Sequence, residues 1–131
     1  MKNILIVDDN LGFLYWLGET LAEARYQPWP ASNAPEAASV VKNRGLERLD
    51  LLIVNPSLDG VPQLITRLRR TSPNLKVLAA APLNDRQVRG VDGWRARPDS
   101  SDSLARQEWV REVERIFGSQ KRASHRHRRA A

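Results

Sequence analysis

The 131-residue chain contains no cysteine, which excludes disulfides, thiolate metal sites and a cysteine nucleophile. Its two histidines, His125 and His127, both lie in the last stretch, so the body carries neither a zinc cluster nor a histidine base. No apolar run approaches the ~20 residues of a membrane span. The start, Met1-Lys2-Asn3 followed by a short apolar run, is not a secretory signal, and the cytoplasm is the expected compartment. There is no glycine-rich phosphate loop, no nucleophile-base pair and no internal repeat, so an enzyme in its own right is not expected.

What is present is a soluble globular composition, 41% apolar and 27% charged, of a length that fits one core. The net charge of +6 is unevenly placed. After Phe117, Lys121, Arg122, Arg126, Arg128 and Arg129 stand without an acidic residue, which leaves the body nearly neutral. Residues 119–131 carry too little apolar surface to offset ordering entropy and are expected to be a disordered basic tail on a 1–118 domain.

Apolar, β-rich runs at Asn3–Val7, Leu49–Asn55 and Leu75–Ala81 read as strands buried on both faces. A weaker strand at Tyr26–Ala31 contains Pro28 and Pro30 and belongs at a sheet edge. A very short one spans Trp94–Pro98 after an Asp92-Gly93 turn. Between them Leu14, Leu17 and Leu21 mark one amphipathic helix, and Ala37, Val40 and Val41 a second. Leu64, Ile65 and Leu68 mark a third, and space for only two helical turns remains between Pro82 and Gly90. Ser100 or Ser101 caps a last helix, with Leu104, Trp109, Val110, Val113, Ile116 and Phe117 on its inner face. Such alternation predicts an α/β fold, a doubly wound parallel sheet.

Ligands gather at the carboxyl ends of parallel strands, which singles out Asp8, Asp9, Asn55, Ala81 and Arg97. Two adjacent carboxylates repel each other unless a cation, a basic side chain or helix amides offset them. Simple helix capping by Asp-Asp-Asn is the plainer alternative.

Asn3–Asp9 resembles the first strand and acidic pair of the receiver domains of two-component response regulators. Leu49–Gly60 resembles the strand and loop bearing the phosphoacceptor of that family, and Gly90–Trp94 the approach to its fifth strand. Arg97-Pro98 stands where the family has lysine-proline. The resemblance runs from about Lys2 to Phe117. It implies a five-stranded flavodoxin-like sheet in the order 2-1-3-4-5, here with a shortened helix four, since Ala81 to Arg97 falls short by about six residues, or roughly one and a half turns.

The departures fall on the chemistry. Asn55 occupies the place of the aspartate that attacks a phosphohistidine, and an amide forms no acyl phosphate. Ala81, with Ala80 if the alignment slips by one, offers no hydroxyl for the phosphoryl group. Arg97 keeps the charge of the lysine but not its shape, and Trp94 fills the switch-aromatic position with a larger ring. Of the magnesium ligands the resemblance implies, Asp8, Asp9 and the Ser57 carbonyl remain; with Asn55 uncharged, weak binding or none is expected, and Arg97 becomes a candidate built-in cation.

The expected function is therefore a degenerate receiver, a pseudo-receiver, in phosphorelay signalling. It would be silent to phosphorylation and act by contact with a protein partner such as a histidine kinase or a downstream effector. Two readings stay beside it: a conventional phosphorylated receiver with its acceptor substituted, and a weak, nonspecific nucleic-acid binder acting through the tail. A homodimer through an exposed sheet edge or the shortened helix four is also open.

Overall fold

The structure is a computed structural model that describes residues 1–81, 90–98 and 103–130, the stretch 119–130 by its backbone alone. Contacts divide the chain into two compact units, Met1–Arg97 and Pro98–Ala131. The first holds β1 (Asn3–Val7), α1 (Leu11–Glu23), β2 (Gln27–Ala31), α2 (Ala34–Asn43), β3 (Leu51–Val54), α3 (Val61–Thr71), β4 (Lys76–Ala81) and β5 (Gly93–Ala96). The second holds α4 (Ala105–Ala130). No helix among the described residues is long and apolar enough to cross a membrane.

The five strands form one parallel sheet in the order β2-β1-β3-β4-β5. β1 and β3 lie inside it, and Ile4 to Val7 and Leu51 to Val54 are buried, as unbroken apolar runs require. Because side chains alternate along a strand, Leu5, Val7, Leu52, Val54 and Val77 meet α2 and α3 through Ala34, Ala37, Leu64, Ile65 and Leu68. The opposite face, carrying Ile4, Ile6 and Ile53, takes the buried side of α1, where Leu14, Leu17 and Leu21 recur at helical spacing.

β2 sits at the sheet edge, and its prolines show why. The Gln27 N–H donates to the Lys2 carbonyl at 2.9 Å, and the Ala31 carbonyl accepts from the Asp8 N–H at 3.1 Å. Odd positions therefore serve the ladder with β1, whereas Pro28 and Pro30 face the open edge, where a missing N–H costs nothing. Trp29 between them donates through Nε1 to Asn3 Oδ1 at 3.2 Å and lies under the Arg44 guanidinium.

Helix starts follow local rules. Asn10 Oδ1 accepts from the Phe13 N–H at 3.1 Å and Asn33 Oδ1 from the Glu36 N–H at 2.8 Å. α3 instead begins at Gly60, whose φ of 80° is a left-handed conformation that favours glycine.

Several sequence expectations are corrected. The left-handed residue before β5 is Gly90, while Gly93 is already the first residue of that strand. Asp92 does more than turn the chain: its Oδ2 accepts from the Val77 N–H at 2.8 Å and lies 3.4 Å from Arg69 Nη2. Asp92→Ala strands the buried Val77 N–H and should lower stability by about 2 kcal/mol, read by urea denaturation. A loss within error would mean that water replaces the carboxylate.

In the second unit the buried stripe of α4 is Ala105, Trp109, Val113, Ile116 and Phe117; Val110 is half-buried and Leu104 is 56% exposed. Leu104 precedes the first helical residue, and its carbonyl accepts from the Glu108 N–H at 3.1 Å, so its side chain leaves the stripe. The backbone of 119–130 continues α4. Gln120, Lys121, Arg122 and Ala123 are good helix formers, and no proline follows Gly118 to stop the helix. The segments expected to hold the shortened helix four (82–89) and the Ser100 or Ser101 cap (99–102) lie outside the described residues.

Candidate functional site

Parallel strands deliver their last residues to one edge of the sheet, and four chain positions meet there. Asp8 follows β1, Asn55 follows β3, Ala81 ends β4 and Arg97 follows β5. The ladder holds the first two in place: the Asp8 N–H reaches the Ala31 carbonyl at 3.1 Å and the Asn55 N–H the Val7 carbonyl at 3.0 Å.

Asp8 turns inward and is 1% exposed. Its Oδ1 accepts from the Asn10 N–H at 2.9 Å and from Arg97 Nη1 at 3.3 Å. Its Oδ2 is buried without a hydrogen-bond partner among the described residues. Burial pushes the Asp8 carboxyl above its ordinary value of 3.8; the Asn10 N–H and then the Arg97 guanidinium pull it back, while Asp9 pushes in the same direction as burial. The Asn55 amide weakly favours the ionised form without completing a hydrogen bond to Oδ2.

Asp9, one residue on, turns outward and is exposed. It borders a cleft of about 870 Å³ between the starts of α2 and α3, with Asn33, Gly60, Leu64 and Arg67 on its walls. The two adjacent carboxylates are thus split, one facing Arg97 and the other facing water.

Asn55 is 4% exposed, and its carbonyl oxygen is already committed. Oδ1 accepts from the Ser57 N–H at 3.0 Å and from Ser57 Oγ at 2.7 Å, which closes the loop that leads to α3. Sequence reasoning weighed the Ser57 backbone carbonyl and missed its hydroxyl and N–H; the Asn-x-Ser spacing, a common side-chain-stabilised turn, was the available signal. Ala81 is fully buried beside Ala96 of β5, and neither it nor Ala80 supplies a hydroxyl. Trp94 is half-buried on β5 and pairs with Ala79.

These residues do not fit a divalent ion. Magnesium asks for about six oxygens in octahedral array, whereas Asp8 is paired with a guanidinium and Asp9 is exposed on the cleft wall. No group of three acidic, histidine or cysteine side chains among the described residues could hold a metal.

A parallel 2-1-3-4-5 sheet with its charged residues gathered at the strand ends is the flavodoxin-like fold of receiver domains. No protein-family model matches the chain. In sequence it is 31% identical over 80 residues to the sporulation initiation phosphotransferase F of Bacillus subtilis (strain 168), a match covering 59% of this chain and 61% of that protein. In structure it resembles the response regulator TrrA from Thermotoga maritima, solved with Mg2+-BeF, at a TM-score of 0.62 and 24% identity, covering 86% and 99% of the two chains. A chain of the complex between the P1 domain of CheA3 and CheY6 from R. sphaeroides superposes at a TM-score of 0.69 and 18% identity, covering 89% of this chain and 97% of that one. These structural likenesses define the fold.

Proposed function

We propose that this chain is a receiver domain of two-component signal transduction that carries no phosphoryl group at its acceptor position and signals by protein contact. Residues 1–118 form its receiver-like body and 119–131 a basic extension. Asn55 carries the reading. A receiver passes a phosphoryl group to a carboxylate oxygen, and at this position stands an amide whose one oxygen already accepts two hydrogen bonds from Ser57.

The neighbours agree with a silent site. Alanine at 81 leaves the phosphoryl group without a hydroxyl donor, and the basic residue at 97 is engaged by Asp8 at 3.3 Å. The sequence similarity to a phosphotransferase supports a place in a phosphorelay, and the likeness to a chain solved with a P1 domain supports a protein as the partner. The class of partner we assign is a histidine kinase or phosphotransfer protein, or the effector that such a module addresses.

Incubating the chain with acetyl phosphate and magnesium, then measuring intact mass and tryptophan fluorescence, tests the reading. Unchanged mass and unchanged emission are expected. A phosphoryl adduct accompanied by a shift in tryptophan emission would show a working receiver and overturn it.

A further inference from the structure

We infer that the guanidinium of Arg97 takes the place of the divalent cation the receiver fold implies, so that the chain's own side chain fills the acidic pocket and excludes magnesium. This rests on the reading of the chain as a receiver domain. It extends that reading from the missing nucleophile to the missing ion.

Charge balance is the first argument. A pocket with carboxylates at positions 8 and 55 needs two positive charges, which a divalent ion provides. With Asn55 neutral and Asp9 exposed to water, a single inward carboxylate remains, Asp8, at 1% exposure. One monovalent cation matches it, and Arg97 Nη1 lies 3.3 Å from Asp8 Oδ1. Asn55 and Arg97 are therefore two halves of one change.

Reach is the second. Asp8 follows β1 and Arg97 follows β5, three strand spacings away in the β1-β3-β4-β5 order, each about 4.8 Å. Only a long side chain closes that gap. Arginine also sheds its water more readily than an ammonium and presents a planar fork to a carboxylate, which suits a group only 23% exposed.

The third is the remaining coordination. Asp8 Oδ1 is occupied by Arg97 and the Asn10 N–H. Oδ2 alone does not replace the oxygen shell a hard cation demands. A divalent ion beside Asp8 would also sit against a fixed positive charge within a few ångströms.

The test titrates MnCl2 into the intact chain, Arg97→Ala and Arg97→Lys, following melting temperature and tryptophan fluorescence, with NaCl at matched ionic strength as control. The wild-type chain should show no manganese-specific response. Arg97→Ala should melt lower in the absence of metal and regain several degrees at roughly 10 mM manganese, since an ion that binds only the folded state stabilises it. Arg97→Lys, which keeps the charge and guards against a failure of the alanine variant to fold, should show a gain smaller than Arg97→Ala, because the shorter ammonium leaves the ion room but keeps a positive charge beside it.

An equal manganese response in the wild-type chain and both variants would overturn the inference, as would no response in either variant. The two readings fail separately. A manganese response of the wild-type chain without a phosphoryl adduct sinks only the cation assignment, and an adduct on a manganese-indifferent chain sinks only the silent-receiver reading.

Discussion

Arg97→Ala lowers stability by about 3 kcal/mol at neutral pH, and adding Asp8→Asn to it restores most of that loss. The asymmetry follows from where the charges sit. Arg97 keeps 23% of its side-chain surface in contact with solvent, whereas the Asp8 side chain keeps 1%. Removing the arginine leaves a buried anion with one backbone N–H as its hydrogen-bond donor; neutralising that anion removes the penalty at its source. Urea denaturation of the wild-type chain, both single variants and the double variant closes the cycle. Additive losses would mean that the two side chains do not act on each other.

The same pair sets a pH dependence. Burial raises the folded-state pKa of Asp8 above 3.8, and Arg97 is one of the groups holding it down. A carboxyl with a raised folded value favours the folded state most when protonated. That contribution is fully present below the ordinary carboxylate pKa and is lost as pH rises through the raised value. Without Arg97 the value climbs further, so the cost of Arg97→Ala should shrink from neutral pH toward about pH 4.5. A cost independent of pH over that range would place the destabilisation in lost packing of the arginine stem rather than in charge.

Leu52→Ala has an effect of similar size for an unrelated reason. Leu52 is fully buried in the middle of β3, within the cluster that joins the sheet to α2 and α3. Its neighbours Leu5 and Val77 stand on the flanking strands and cannot collapse into the space without breaking register. Truncation should cost about 3 to 4 kcal/mol. Val41→Ala, at the partly buried rim of the same cluster, should cost about 1 kcal/mol or less, because the rim can settle into the space left. Equal losses at the two positions would mean that this face of the sheet is loosely packed.

Much of the architecture was legible without coordinates, for reasons that can be named. Ile4 to Val7, Leu51 to Val54 and Val77 to Ala81 are unbroken apolar runs of strand length, and only a strand covered on both faces tolerates such a run. Pro28 and Pro30 at alternate positions marked an edge strand, because every second N–H of an edge faces no partner. Asp8, Asn55, Ala81 and Arg97 stand at strand ends, as the strand assignments require.

The failures share a cause. Asp92 appeared as a turn residue because its ties to Val77 and Arg69 cross 15 and 23 residues. Leu104 shares the helical spacing of the stripe, whereas α4 begins one residue later, at Ala105. Local spacing predicts which residues share an element, and it is silent on what an element end will meet.

The amino-acid order by itself determined the strands, the helices of the first unit and the uncharged residue at position 55, because hydrophobic periodicity, capping and side-chain chemistry act within a few neighbours. Tertiary structure alone decided that Asp8 turns inward while Asp9 turns to water, that the Asn55 oxygen is spent on Ser57, and that Arg97 meets a carboxylate 89 residues away. Those outcomes depend on the order in which strands pair and on how far a side chain reaches across the sheet, and both exist only once the chain has folded.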